Sequence, residues 1–140
     1  MYQDNANKIV IVVNRQLEPG RLANAMAHAI AGLVDRLQKT DPICFLNYPS
    51  QAGWSANIAQ APVIVLRADN GNQLRRLHNE ASASGVASNA FVHTMLGASA
   101  AEQQAATAAC DPPLLEFWAV ALHASAAALA PLTKRFSVYN

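Results

Sequence analysis

Arg21, Asn24 and His28 fall at a spacing that puts all three on one side of a helix. Asn24 and His28 are four residues apart and can touch. A guanidinium stays charged and binds anions, and the first turn of a helix adds free backbone N–H groups that also favour negative charge. An imidazole titrates near neutrality and can donate or accept a proton. The set can therefore hold a phosphate or carboxylate, with His28 as acid or base. A second candidate is His93-Thr94, at a predicted strand end before Gly97. Ligands of open α/β sheets favour the crevice beyond the carboxyl ends of strands, where His93 and Thr94 can face Arg21. Asn14 follows the first strand and can join the same crevice. The candidate catalytic residues are thus His28, His93 and Thr94, and the candidate ligand-binding residues Arg21, Asn24 and Asn14. The competing readings are structural: polar residues on a helix face or dimer interface, a strand terminus with satisfied hydrogen bonds, and a solvated turn.

The remaining polar residues point to no further chemistry. His78 sits mid-helix beside Arg75 and reads as surface, and His123 ends a strand with no nucleophile paired to it. The four histidines lack metal-ligand spacing, so no metal is expected. Cys44 and Cys110 fit neither a zinc motif nor a redox pair and read as reduced thiols. There is no phosphate-binding glycine motif of the Walker or dinucleotide type, and no cofactor is expected. The formal net charge of +1 argues against strong non-specific nucleic-acid binding. Arg75-Arg76 and Lys134-Arg135 read as solvated pairs.

The elements that must position these residues follow from periodicity and punctuation. Lys8 to Val13 is a continuous β-branched run, the pattern of a strand buried on both faces. Pro19-Gly20 marks a turn, and Arg21 to about Gln38 has a helical stripe of Leu22, Met26, Ala29, Ile30, Leu33 and Leu37. The many alanines of this helix leave it little bulk, which suits cover by a second protomer. A short hairpin is predicted around Pro49 to Gly53, and a second buried strand from Pro62 to Arg67. Asp69 to Asn72 opens a helix that Gly85 closes. A third strand is predicted from Asn89 to Met95, then a helix capped by Ser99 and Glu102 and stopped by Pro112-Pro113. Phe117 to Leu122 is a fourth strand, Ser125 to about Lys134 a helix bent at Pro131, and Phe136 to Tyr139 a last edge strand. Strands alternating with helices over 140 residues imply one domain, 1–140: a three-layer αβα sandwich with a mixed, mostly parallel sheet of four to five strands. The most apolar stretch, Phe117 to Leu132, is too short to span a bilayer and is broken by His123 and Pro131. The polar Met1 to Asn7 has no apolar signal region. No membrane association and a cytoplasmic location are expected.

Three stretches carry a resemblance: Lys8 to Val13 leading through Leu17 to Ala29, then Val92 to Gly97, then Leu132 to Tyr139. They resemble peptidyl-tRNA hydrolase type II. The closer similarity, over nearly the whole chain, is to the domain of unknown function 2000 family, thought to share that fold. The resemblance implies that His28 matches the enzyme's helix histidine and Thr94 its loop threonine. Arg21 falls where the enzyme has a lysine, in a turn about two residues shorter. The enzyme's loop aspartate has no counterpart, because Ala90 or His93 occupies that neighbourhood. The related hydrolases are often dimers, so a homodimer is expected.

Two functional readings follow. In the first, the fold retains a pocket for a small anionic or phosphate-bearing ligand without catalysis. In the second, the protein is a hydrolase of peptidyl-tRNA or a related acyl ester, with Arg21 binding an anionic group and His28, His93 and Thr94 handling water or protons. tRNA is a partner under the second reading only.

Overall fold

In the computed structural model, which describes residues 6–140, β1 (Asn7–Asn14) runs through the centre of the domain. Most of the polar stretch Met1 to Asn7 lies outside the described residues. Successive β1 side chains enter opposite cores, as the two-residue strand period requires. Ile9, Ile11 and Val13 face one layer, and Val10 and Val12 face the other. The first layer is α1 (Pro19–Leu37), which buries Leu22, Ala25, Ala29, Leu33 and Leu37 against the sheet. The second is built by α2 (Gly71–Ala83) and α4 (Ala126–Thr133), through Leu74, Leu77, Ala81, Leu129 and Leu132. Gly85, at φ +70°, ends α2 in the left-handed region that a residue without a Cβ adopts freely.

Five strands form the main sheet, in the order β5 (Ala87–Val92), β6 (Phe117–Ser125), β1, β4 (Val63–Ala68), β7 (Ser137–Val138). The predicted parallel character is corrected. Among the described residues only β1 and β4 pair in parallel, whereas β5–β6, β6–β1 and β4–β7 are antiparallel. The crossovers through α1 and α2 do lay β1, β4 and β5 in one direction, as the alternation of elements implies. β6 then enters the gap between β1 and β5 and runs against both. Element order specifies the crossovers but not which gap a later strand fills.

Two further differences bear on the site. The third strand stops at Val92, with a register shift at Phe91/Val92, and His93–Met95 forms a single 3-10 turn instead. That turn holds α3 (Ala100–Ala109), which buries no side chain of its own. The predicted hairpin exists as β2 (Phe45–Pro49) and β3 (Ser55–Ala59), a separate two-stranded sheet. Among the described residues, no helix is long and apolar enough to cross a membrane.

Candidate functional site

The exposed side of α1 carries Arg21, Asn24 and His28, and a row of rings lies beneath it. The Arg21 guanidinium sits 5.7 Å from the centre of the Trp118 ring. Trp118 stacks on Phe91 at 5.8 Å, and Phe91 on His28 at 5.7 Å with an interplanar angle of 26°. Phe91 and Trp118 are buried, so they form a rigid floor under polar groups that remain accessible. Trp118 donates its indole N–H to Glu116 Oε1 at 3.3 Å.

Beside this row lies a cleft of about 380 Å³, bounded by α1, β5, the 93–95 turn and α3. Asn24, His28, Asn89 and Gln103 supply its polar groups, and Phe91, Met95 and Leu96 its main apolar walls. Among the described residues, no aspartate or glutamate lines it. Two of its three amides are held from behind. Asn89 Nδ2 donates to the Ala29 carbonyl at 3.0 Å, and Gln103 Nε2 to the Gly97 carbonyl at 3.1 Å. The Asn89 contact requires Gly32: a Cβ there would stand 2.5 Å from Asn89 Nδ2. Each amide oxygen retains acceptor capacity toward the cleft.

The predicted residues do not all converge. Asn24 and His28 share the cleft, and Arg21 lies two helical turns from His28, about 10 Å along the axis. His93 and Thr94 are not among the residues lining the cleft. Glu116 donates its backbone N–H to His93 Nδ1 at 3.0 Å, and the His93 backbone N–H donates to the Glu116 carbonyl at 2.9 Å. That pair fixes the His93 proton on Nε2 when the ring is neutral. It also continues the β5–β6 connection past the bulge. The Thr94 hydroxyl lies 2.8 Å from the Thr107 hydroxyl, which itself donates to the Gln103 carbonyl at 2.8 Å. With Thr107's proton committed there, Thr94 donates to Thr107 and fastens the turn to α3.

Asn14 is buried and is not among the residues lining this cleft. It donates to the Phe117 carbonyl at 3.4 Å and accepts from the Gln16 N–H at 3.0 Å, beside the start of α2. The supposed free N–H groups at the start of α1 are occupied too. The Glu18 carboxylate accepts from the Arg21 N–H at 2.8 Å and the Gly20 N–H at 3.4 Å. An anion binding this face must use side chains, because the helix terminus is already capped from within. Asn89, Phe91, Met95 and Gln103 went unnoticed in the sequence. The local signal was a Ser88-Asn89 pair in a strand whose other residues are apolar.

The class defined by these elements is a mixed α/β sandwich with a small open cleft on one helical face. A family model described as a protein of unknown function (DUF2000) matches residues 7–140, and the chain belongs to that family. No curated protein matches it. Among solved structures, it is similar to a protein of unknown function, Atu0240, from Agrobacterium tumefaciens str. C58, at 20% identity and a TM-score of 0.80. The similarity covers 97% of this chain and 99% of that one.

Proposed function

We propose that the protein binds a small ligand carrying an anionic group at one end and a flat, partly apolar body at the other. The body occupies the cleft over Phe91, between Asn24, His28, Asn89 and Gln103. The anionic group reaches along α1 toward Arg21. One observation carries this reading: Arg21 and His28 share an aromatic floor beside a cleft that no carboxylate of the described residues lines. Arg15, Arg76 and Arg135 are each ion-paired to an acid, whereas Arg21 meets only the face of Trp118 among the described residues. An exposed cation–π contact holds a guanidinium weakly and leaves its in-plane N–H donors free to bind an anion.

Binding is favoured over hydrolysis by the surroundings of His28. A general base is oriented by a partner on its second nitrogen. The described contact of the His28 ring is the Phe91 face, and among the described residues no carboxylate lines the cleft. The hydroxyl of Thr94 and Nδ1 of His93 are committed to Thr107 and Glu116.

The test is thermal unfolding with a panel of aryl carboxylates, nucleoside monophosphates and inorganic phosphate, repeated with Arg21→Gln and His28→Ala. A rise in Tm for wild type that both variants lose is expected, with no turnover of an N-blocked aminoacyl-tRNA or an activated acyl ester. Absence of any shift across the panel removes the binding reading. Ester or tRNA turnover abolished by His28→Ala replaces it with the hydrolase.

A further inference from the structure

The β2–β3 hairpin is an anomaly in a chain with two well-filled cores. Among the described residues, its strands pair only with each other. The core claims its base, through Ile43 and Ala61, both buried against the α1 layer. Beyond that base, Phe45, Tyr48, Trp54 and Ile58 are 38%, 51%, 63% and 49% exposed. A two-stranded ribbon is marginal in water by itself and gains independent stability with a third strand or a packed face. From Pro42 to Leu66 the chain has no charged residue. Surfaces that stay in water are normally blunted by charge, and an arm without any is unguarded.

Its two edges differ. The hydrogen-bonded pairs at the ends of the hairpin are Ser50/Trp54 at 2.8 Å and Cys44/Gln60 at 2.8 Å. By the two-residue alternation between them, Trp54, Ala56, Ile58 and Gln60 aim their backbone groups at β2. Ser55, Asn57 and Ala59 therefore aim theirs outward, along a free edge without proline or charge. On β2 the outward positions are Phe45, Asn47 and Pro49, and Pro49 has no N–H to offer. The edge open to pairing is β3.

We infer that the arm is a self-association element, in which β3 pairs antiparallel with β3 of a second copy of this chain about a two-fold axis at Asn57. Asn57 is the centre of the strand, so its N–H and C=O exchange bonds with those of its symmetry mate, and Ser55 lies opposite Ala59. Two ribbons become one four-stranded sheet, and the Leu46/Ile58 and Tyr48/Ala56 pairs of each copy join in one apolar face. The neutrality of the arm selects this occupant. An acidic or basic partner would find no opposite charge on it, whereas an identical uncharged edge meets no repulsion. The inference shares no residue with the cleft and stands whether or not the cleft binds a ligand.

Sedimentation velocity over a dilution series tests it, on wild type, Asn57→Pro and Ile58→Lys. Wild type should dimerise. Asn57→Pro removes the central donor pair and should weaken association about 30-fold or more. Ile58→Lys sets like charges across the shared face and should act in the same direction. Far-UV circular dichroism and unchanged thermal unfolding of the diluted variants confirm that the two cores persist. As a check independent of folding, Asn57→Cys in a Cys44→Ser, Cys110→Ser background should form a disulfide-linked dimer on oxidation. Antiparallel partners across such a pair have Cα atoms about 5.5 Å apart, within disulfide reach. The same background with Ser137→Cys should not cross-link. A monomeric wild type at all concentrations, or a dimer that survives both substitutions and resists the Asn57→Cys cross-link, overturns the inference.

Discussion

The two faces of the sheet carry the same trio of residue types in different states. On the α1 side, Arg21 lies 5.7 Å over Trp118 and His28 lies 5.7 Å from Phe91. On the α2 side, Arg75 lies 5.8 Å over Phe117 and His78 lies 5.7 Å from that same ring. There the likeness ends. Arg75 donates to the carbonyls of Pro113 and Leu115 and to Asn72 Oδ1, so its charge clamps the segment between α3 and β6. Among the described residues Arg21 meets no such acceptor, and His28 is exposed beside the cleft. An arginine above an aromatic ring is structural or available according to what lies in the plane of its guanidinium. That plane is filled by backbone on one face and left open on the other.

The contrast breaks first at the arginines. Arg75→Ala removes three hydrogen bonds from a charged donor, one of them to the part-buried Leu115 carbonyl, and should cost about 2 kcal/mol in urea unfolding. Arg21→Ala should cost under about 0.5 kcal/mol by the same measurement, because it removes an exposed contact only. Equal losses for the two variants would mean that Arg21 is structural, and the proposed ligand site would lose its cation.

The next test concerns how the cleft is kept open. Gly32→Ala adds a good helix former, which alone would stabilise α1 by about 1 kcal/mol. The new Cβ collides with the Asn89 amide, which must leave the Ala29 carbonyl. The net change should be destabilising by about 1 kcal/mol, with loss of the ligand-induced rise in Tm. Adding Asn89→Ala should restore stability without restoring the ligand response. A single Gly32→Ala variant more stable than wild type would show that Asn89 is not held as described.

Much of the fold was readable from residue pattern, for stated reasons. The β-branched run of β1, the stripe of α1, the Ser99 and Gly85 caps and the turn near Gly53 are local signals, and each names an element. Sheet direction was not readable, since the gap that β6 fills depends on contacts between residues about a hundred positions apart, such as Ile9 with His123. The site was half legible. Helical spacing put Arg21, Asn24 and His28 on one face, but nothing local reveals that Glu116 and Thr107 engage His93 and Thr94. Nor does spacing distinguish Arg75, read as solvated, from Arg21. What separates them is the path of residues 113–115, forty positions away.

The smallest expected effect belongs to the histidines. His78 is half buried, and loss of solvation, followed by the nearby Arg36 charge, lowers its pKa below the ordinary 6.5. The folded chain then binds this proton less readily than the unfolded chain. Above 6.5 both states are neutral here and the residue adds no pH dependence. As pH falls below 6.5 toward the depressed folded value, the unfolded state takes up the proton first and stability is lost. Urea unfolding at about pH 7.5 and about pH 5.5 should therefore show a smaller loss on acidification for His78→Gln than for wild type. If His78→Gln retained the full acid sensitivity, the burial of the α2-side imidazole against Phe117 would not be what separates the two faces.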